Sequence, residues 1–163
     1  MAVVEIVPIG EEHIESFHRA LDFVARERRY LALLEAPPIE EFRSFVQHIV
    51  SRSHQFVALS DGEVVGWCDV LPKTWPIYAH MGVLGVALLP PFRGQGLGPR
   101  LIERALEAAR AFGLSRVELT VRESNKNAIA LYEKFGFMTE GLKRNALKVD
   151  GRYEHQILMA LLF

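Results

Sequence analysis

The six residues RGQGLG, Arg93–Gly98, have the composition of an anion-binding loop. They stand between an almost wholly apolar run, His80–Leu89, and a segment of helical periodicity, Leu97–Phe112. The first turn of a helix leaves backbone N–H groups without intrahelical partners, and the helix dipole adds partial positive charge there. Gly94, Gly96 and Gly98 allow this backbone to approach a ligand without Cβ clashes. Such a loop suits a phosphate or diphosphate, and Arg93 adds a guanidinium for a charge-assisted contact. A tight strand-to-helix turn without a ligand is the other reading of the same residues. Two nucleotide patterns do not fit. A P-loop needs Lys and then Ser or Thr after its last glycine, where this chain has Pro99 and Arg100. A dinucleotide fold needs a different glycine spacing and more strands than the 65 residues after Gly98 can supply. His80 is the single titratable side chain of the preceding run, and an imidazole pKa of about 6.5 suits a proton acceptor at neutral pH.

The surrounding elements follow from periodicity. VVEIVPI (Val3–Ile9) reads as a strand. Glu11 to about Leu34 reads as one helix, with Ile14, Phe17, Leu21 and Val24 on its apolar face and Pro37-Pro38 as its stop. Pro38 can open the next helix, Ile39–Ser51, striped by Phe42, Phe45, Val46 and Ile49. QFVALS, Asp61-Gly62 and EVVGWCDV form a hairpin signal. Residues 71–79 are loop-like. His80–Leu89 is a buried strand, Leu97–Phe112 a helix stopped by Gly113, SRVELTV a strand, and Asn125–Phe135 a helix stopped by Gly136. The C-terminal segment reads as a hairpin about Asp150-Gly151. The order is α/β, with one strand–loop–helix–strand unit at residues 80–121.

The composition limits the function. At 163 residues, the chain has the length of one domain, 1–163, and with half of it hydrophobic it can bury a core. It has no apolar run long enough for a membrane span, and its start lacks the pattern of a signal peptide, so a cytoplasmic protein is expected. Cys68 stands alone, which excludes an internal disulfide and a cysteine zinc site. A net charge of −1 gives no global indication of nucleic-acid binding. The charge is uneven: residues 1–80 carry 12 acidic and 7 basic side chains, residues 81–163 carry 8 and 12. The C-terminal half is therefore the half suited to an anionic ligand.

Two segments together resemble one known family. R-x-x-G-x-G, here Arg93, Gly96 and Gly98, is similar to the acetyl-coenzyme A signature of the GNAT superfamily of N-acetyltransferases. N-x-x-A-x-x-L-Y-x-x-x-G-F, here Asn125, Ala128, Leu131, Tyr132, Gly136 and Phe137, is similar to the motif that follows it. Within the superfamily, the His80 strand and the ending EGLKRNALKVDGRYEHQILMA most resemble bacterial amino-acid and phosphinothricin-type acyltransferases, with ribosomal-type protein N-terminal acetyltransferases as close relatives. The resemblance implies a mixed, mostly antiparallel, splayed sheet of about seven strands flanked by about four helices. It implies acetyl-CoA as cosubstrate, with no metal. Its pyrophosphate would rest on Arg93, Gly94, Gln95, Gly96, Leu97 and Gly98, and its pantetheine arm would pair like an added strand with Val86, Ala87 and Leu88. Asn125 would bond the pantetheine or cap its helix. Pro99 departs from an ideal phosphate cradle, since it removes one amide from the first helical turn.

The implied reaction is direct attack of an amine on the thioester, which needs a neutral amine, a donor for the oxyanion and a proton for the thiolate. Tyr132 matches the family's general acid. Because a phenol has a pKa of about 10 and a thiol about 8.5, it would act mainly by hydrogen-bonding the thiolate. Many relatives carry a glutamate base on the His80 strand; Met81–Leu89 has no carboxylate. His80 is the candidate base, with Tyr153, His155 and a water chain as alternatives. The acceptor pocket is expected from Phe23, Tyr30, Trp75, Tyr78, Arg144 and Tyr153, with Arg144 as the guanidinium for an acceptor carboxylate. The expected acceptor is a small-molecule amine, an amino acid or analogue. A protein N-terminus and a non-catalytic acyl-CoA sensor are the alternatives. Family members often form homodimers, a point on which the residues themselves are silent.

Overall fold

The computed structural model describes residues 3–50 and 54–163. Seven strands form one sheet: β1 (Val4–Pro8), β2 (His54–Ser60), β3 (Glu63–Pro72), β4 (Met81–Leu88), β5 (Arg116–Arg122), β6 (Met138–Val149) and β7 (Arg152–Leu162). Their order is β1-β2-β3-β4-β5-β7-β6. Each neighbouring pair is antiparallel except β4 and β5. Four helices complete the fold: α1 (Ile14–Arg26), α2 (Ile39–Val50), α3 (Leu97–Phe112) and α4 (Lys126–Lys134). This is the architecture that the family resemblance implied.

The period-2 pattern of the strands divides the core between two faces. Cys68 and Val70 of β3 face Leu101, Ile102 and Ala105 of α3, together with Tyr132 of α4. Trp67 of β3 faces the other way, onto Phe17 of α1 and Phe42 of α2. Phe17 lies 5.0 Å from each of these two rings, edge-on to Phe42 and tilted to Trp67. The β2–β3 and β6–β7 hairpins turn on Asp61-Gly62 and Asp150-Gly151. All four residues have positive φ, as a two-residue hairpin turn that matches strand twist requires.

The feature that shapes the site is the short pairing of β4 with β5. Only Met81–Val83 meets Arg116–Glu118. Beyond Val83 the two strands part, so Leu84–Leu88 has no β5 partner on that side. The glycine loop and α3 begin where this free edge ends.

The N-terminal helix is shorter than its periodicity predicts. A 3-10 turn, Glu11–His13, leads into α1, which ends at Arg26 rather than near Leu34. The cause is tertiary. Arg28 adopts a left-handed φ of 59°. The buried Arg122 guanidinium donates to the carbonyls of Arg28 (2.9 Å) and Leu31 (2.7 Å), and the Asp22 carboxylate accepts from the Ala36 N–H (2.9 Å). These contacts take backbone groups that a continuing helix would have used itself. The second predicted helix ends at Val50; Ser51 lies outside the described residues. His80 precedes β4 rather than belonging to it. Among the described residues, no helix is long and apolar enough to cross a membrane, and no cluster of three His, Cys, Asp or Glu side chains could hold a metal ion.

Candidate active site

An open cleft of about 380 Å³ lies between the free edge of β4 and α4. Val86, Ala87 and Leu88 form its β4 wall, Gly94 and Gly98 its loop end, and Asn125, Leu131 and Tyr132 its α4 wall. Gly94 and Gly96 have φ of 72° and 76°, a conformation costly for any residue with a Cβ. Gly96 caps α3, so Leu97 and Gly98 carry amides without intrahelical acceptors. Pro99 has no N–H to offer. Gly98 is buried in this turn, and a Cβ there would stand 3.7 Å from Leu131 and 3.8 Å from Leu88.

Arg93 differs from its expected role. Its guanidinium grips Glu27 with both nitrogens (3.0 and 2.5 Å), donates through Nε to the Leu88 carbonyl (2.9 Å), and lies 4.8 Å over the Tyr30 ring. The side chain lines the cleft but its fork is engaged, tying the loop to the end of α1. Gln95, though exposed, has its amide donating to the Pro91 carbonyl (2.6 Å). The donors left for an anion are those of the main chain.

Asn125 keeps both of its sequence readings. Its Oδ1 accepts from the Ala128 N–H (3.3 Å), which caps α4, and the residue also lines the cleft. Tyr132 is buried, with its ring 5.8 Å from Phe137. Burial, and next the nearby Cys68 thiol, push its phenol above the ordinary range. It therefore stays protonated at any physiological pH and is a hydrogen-bond donor.

His80 does not come to this cleft. It is exposed, six residues before Val86, which at about 3.3 Å per residue is about 20 Å along the strand. Its carbonyl, not its ring, does structural work, accepting from the Ser115 and Arg116 N–H groups. Trp75 and Tyr78 sit in the exposed turn just before it, with Lys73 5.6 Å over the Tyr78 ring. Arg144 is exposed on β6. Tyr153 and His155 line a separate shallow pocket on β7, and His155 Nδ1 accepts from the Asn145 N–H (2.8 Å). Phe23 is exposed on α1, in another shallow pocket. Of the residues expected to form the acceptor pocket, Tyr30 is the one that lines the cleft.

A second cavity, of about 410 Å³, adjoins the first and shares Tyr30, Asn125 and Asn127 with it. Its cations are Arg28, Arg29, Arg122 and Lys126, against the single carboxylate of Glu154. Arg122 Nε is buried and without a partner. Arg28 of its lining grips Asp150 of the β6–β7 turn with two hydrogen bonds (3.0 and 2.6 Å). The sequence shows these residues only as scattered basic side chains. The signal that could have found them is the RERRY segment, Arg26–Tyr30, with three arginines where the helix was expected to continue.

A split sheet, a free strand edge and a glycine turn at its end define an acyl-CoA-type acyltransferase fold. The acetyltransferase (GNAT) family model matches residues 15–137, and the chain belongs to that family. It is 34% identical over 111 residues to N-alpha-acetyltransferase RimI of Mycobacterium tuberculosis, covering 66% of this chain and 67% of that protein. It is 30% identical over 107 residues to L-amino acid N-acetyltransferase AaaT of Escherichia coli, covering 65% and 66%. The chain spans about half to two thirds of the length of the curated relatives it matches. A crystal structure of a GNAT-family acetyltransferase from Streptococcus pneumoniae superposes with a TM-score of 0.92 at 25% identity, over 99% of this chain and all of that one.

Proposed function

We propose that this protein transfers an acetyl group from acetyl-CoA to the α-amine of a small molecule that carries a carboxylate, such as an amino acid. The observation that carries the cosubstrate is the free β4 edge, Leu84–Leu88, ending on the Gly96–Gly98 amides. An extended amide chain such as pantetheine can pair with this edge as an added strand, and a diphosphate suits main-chain donors at a helix start. Its thioester then lies toward the root of the split, beside Tyr132 on the α4 wall. The phenol donates to the sulfur as negative charge develops there. Asn125 keeps α4, and with it Tyr132, in place.

The second cavity supports the small, anionic acceptor. With Arg28 paired to Asp150 and Arg122 beside Glu154, Arg29 and Lys126 remain as its cations in excess, and it opens beside the cleft at Tyr30 and Asn125. A carboxylate bound there holds its α-amine near the thioester. Acetylation of a protein N-terminus is the second reading, favoured by the RimI likeness. The Arg28–Asp150 clasp, which ties the segment after α1 to the β6–β7 turn beside this cavity, weighs against it.

An acceptor panel tests the reading. At pH 7, freeing a peptide's α-amine of its proton costs about 1 kcal/mol and a lysine side chain about 4.6, and the amine of a free amino acid, held protonated by its own carboxylate, lies between them, so an amino-acid preference has to come from binding of the carboxylate. Free α-amino acids are expected to outperform both an alanine-ended peptide and Nα-blocked lysine in thiol release. Faster turnover of the peptide would transfer the assignment to protein N-termini. Faster turnover of the blocked lysine would overturn the α-amine assignment.

A further inference from the structure

We propose that Asp69 is the base that takes the proton from the attacking amine, because β3 carries its carboxylate alongside Gly85 to the point where β4 and β5 part. The proposal rests on the acetyl-transfer reading and names the group that reading lacks. Asp69 pairs with Gly85 in the β3–β4 register. A Cβ on Gly85 would lie 3.4 Å from Asp69 Oδ1, so the carboxylate lies directly alongside the glycine. Gly85 is two residues past Val83, the last β4 residue paired with β5, and one before Val86, which lines the cleft. Glycine at 85 places no side chain of its own between this oxygen and the β4 edge. The split lies on the far edge of β4, two strand spacings or about 9.6 Å from β3, a span that the Asp69 side chain reaching over Gly85 and a bridging water cover.

The carboxylate is held for this task. Gln55 of β2, 2% exposed, donates from Nε2 to Asp69 Oδ2 (3.2 Å), while its own Oε1 has no partner. That bond occupies one carboxylate oxygen and leaves Oδ1 on the Gly85 side. By strand alternation, Asp69 shares its face with Trp67 and Leu71, both uncharged, and with Lys73. Across the split, Glu118 of β5 is neutralised by Lys73 (2.8 Å) and Arg116 (3.2 Å). On the opposite face, the Cys68 thiol is pushed up by burial and then by Asp69 itself, so it stays neutral. Among the described residues, no cation is paired with Asp69. Burial therefore raises its carboxyl to about 7, with the Gln55 bond opposing, which poises it to accept a proton at neutral pH.

The protons balance. The acceptor ammonium gives one proton to Asp69 Oδ1 and becomes a neutral amine. Its nitrogen bonds to the thioester carbon, and the carbon–sulfur bond breaks. The sulfur leaves as a thiolate that accepts a hydrogen bond from the Tyr132 hydroxyl and takes its proton from water, the second N–H proton passes to water, and Asp69 returns the first proton to water.

The test is the pH profile of Asp69→Asn, measured with the better acceptor of an amino acid and an alanine-ended peptide. Asparagine keeps the shape and the contact with Gln55. Wild type is expected to show kcat/KM rising through an acidic limb near pH 7. In the variant, the rate is expected to fall about 100-fold or more and the limb to vanish, with acetyl-CoA affinity by calorimetry unchanged. Asp69→Glu, which keeps a carboxylate one methylene displaced, should show a lower rate with the limb retained. An asparagine variant within about threefold of wild type, with the limb intact, would overturn the proposal while leaving the acetyl-transfer reading in place. A wild type that binds no acetyl-CoA would overturn both. If the asparagine variant does not fold, Asp69→Glu decides: loss of its limb counts against Asp69.

Discussion

Tyr132→Phe is expected to lower kcat by about 100- to 1000-fold while leaving acetyl-CoA affinity within about twofold. The substitution removes one oxygen and keeps the ring, so packing against Phe137 and the apolar lining of the cleft survive. The loss falls on the step in which sulfur becomes a thiolate. In a half-buried cleft that charge has little water to meet, and the phenol is the donor facing it. A 100-fold loss corresponds to about 2.7 kcal/mol, within the range measured for removing one donor to developing charge. Because burial raises the phenol above its ordinary value, full transfer of its proton to a thiolate is uphill, and the hydroxyl works chiefly as a hydrogen bond. Pre-steady-state thiol release, beside calorimetric affinity, separates the two effects. Equal losses in kcat and in cofactor affinity would instead make Tyr132 a wall of the cleft.

Gly98→Glu is expected to weaken acetyl-CoA binding by about 100-fold or more with little change in melting temperature. The backbone at 98 is ordinary helix, unlike Gly94 and Gly96, so no left-handed strain is added. An acidic residue in the first turn of α3 is favourable toward the helix dipole, which offsets part of the cost of a charge at this buried position. The same carboxylate then lies where a diphosphate would sit. Like charges 4 Å apart repel by about 4 kcal/mol at an effective dielectric of 20. Gly98→Ala provides the contrast: its Cβ meets Leu131 and Leu88 at 3.7–3.8 Å, an ordinary contact, and binding should persist. Calorimetry on both variants measures the difference.

Asp69 carries a further consequence for stability. Its folded carboxyl titrates at about 7, against 3.8 for the free side chain. The unfolded chain releases this proton more readily, so the group lowers stability as pH rises from the unfolded value through the folded one. Asp69→Asn should therefore melt higher than wild type at pH 8, with the gap closing toward pH 4. Differential scanning calorimetry at both pH values checks the sign.

What the sequence conveyed and what it hid divide by range. The glycine loop, the Leu97–Phe112 helix and both Asp-Gly turns are local, decided by residues within a few positions of one another, and each stands where periodicity put it. The early end of α1 is not local. It depends on Arg122, more than 90 residues away, reaching the carbonyls of Arg28 and Leu31. Arg93 reads as a phosphate ligand until Glu27, 66 residues earlier, is seen to hold it. His80 drew attention as the single titratable group of its run, yet a strand has two ends, and it stands at the wrong one. Asp69 escaped notice because a charged residue in EVVGWCDV looks like an ordinary solvent-facing strand position. Only the register that sets it against Gly85 gives it a role.

The central claim is that the gap between β4 and β5 holds acetyl-CoA. Its most direct measurement is a calorimetric titration of the full chain with acetyl-CoA, followed by a crystal structure of the same sample. The account predicts one-to-one binding, with pantetheine along Val86–Leu88 and the diphosphate on the Gly96–Gly98 amides. No heat at millimolar ligand, or density for the ligand anywhere other than this gap, would contradict it.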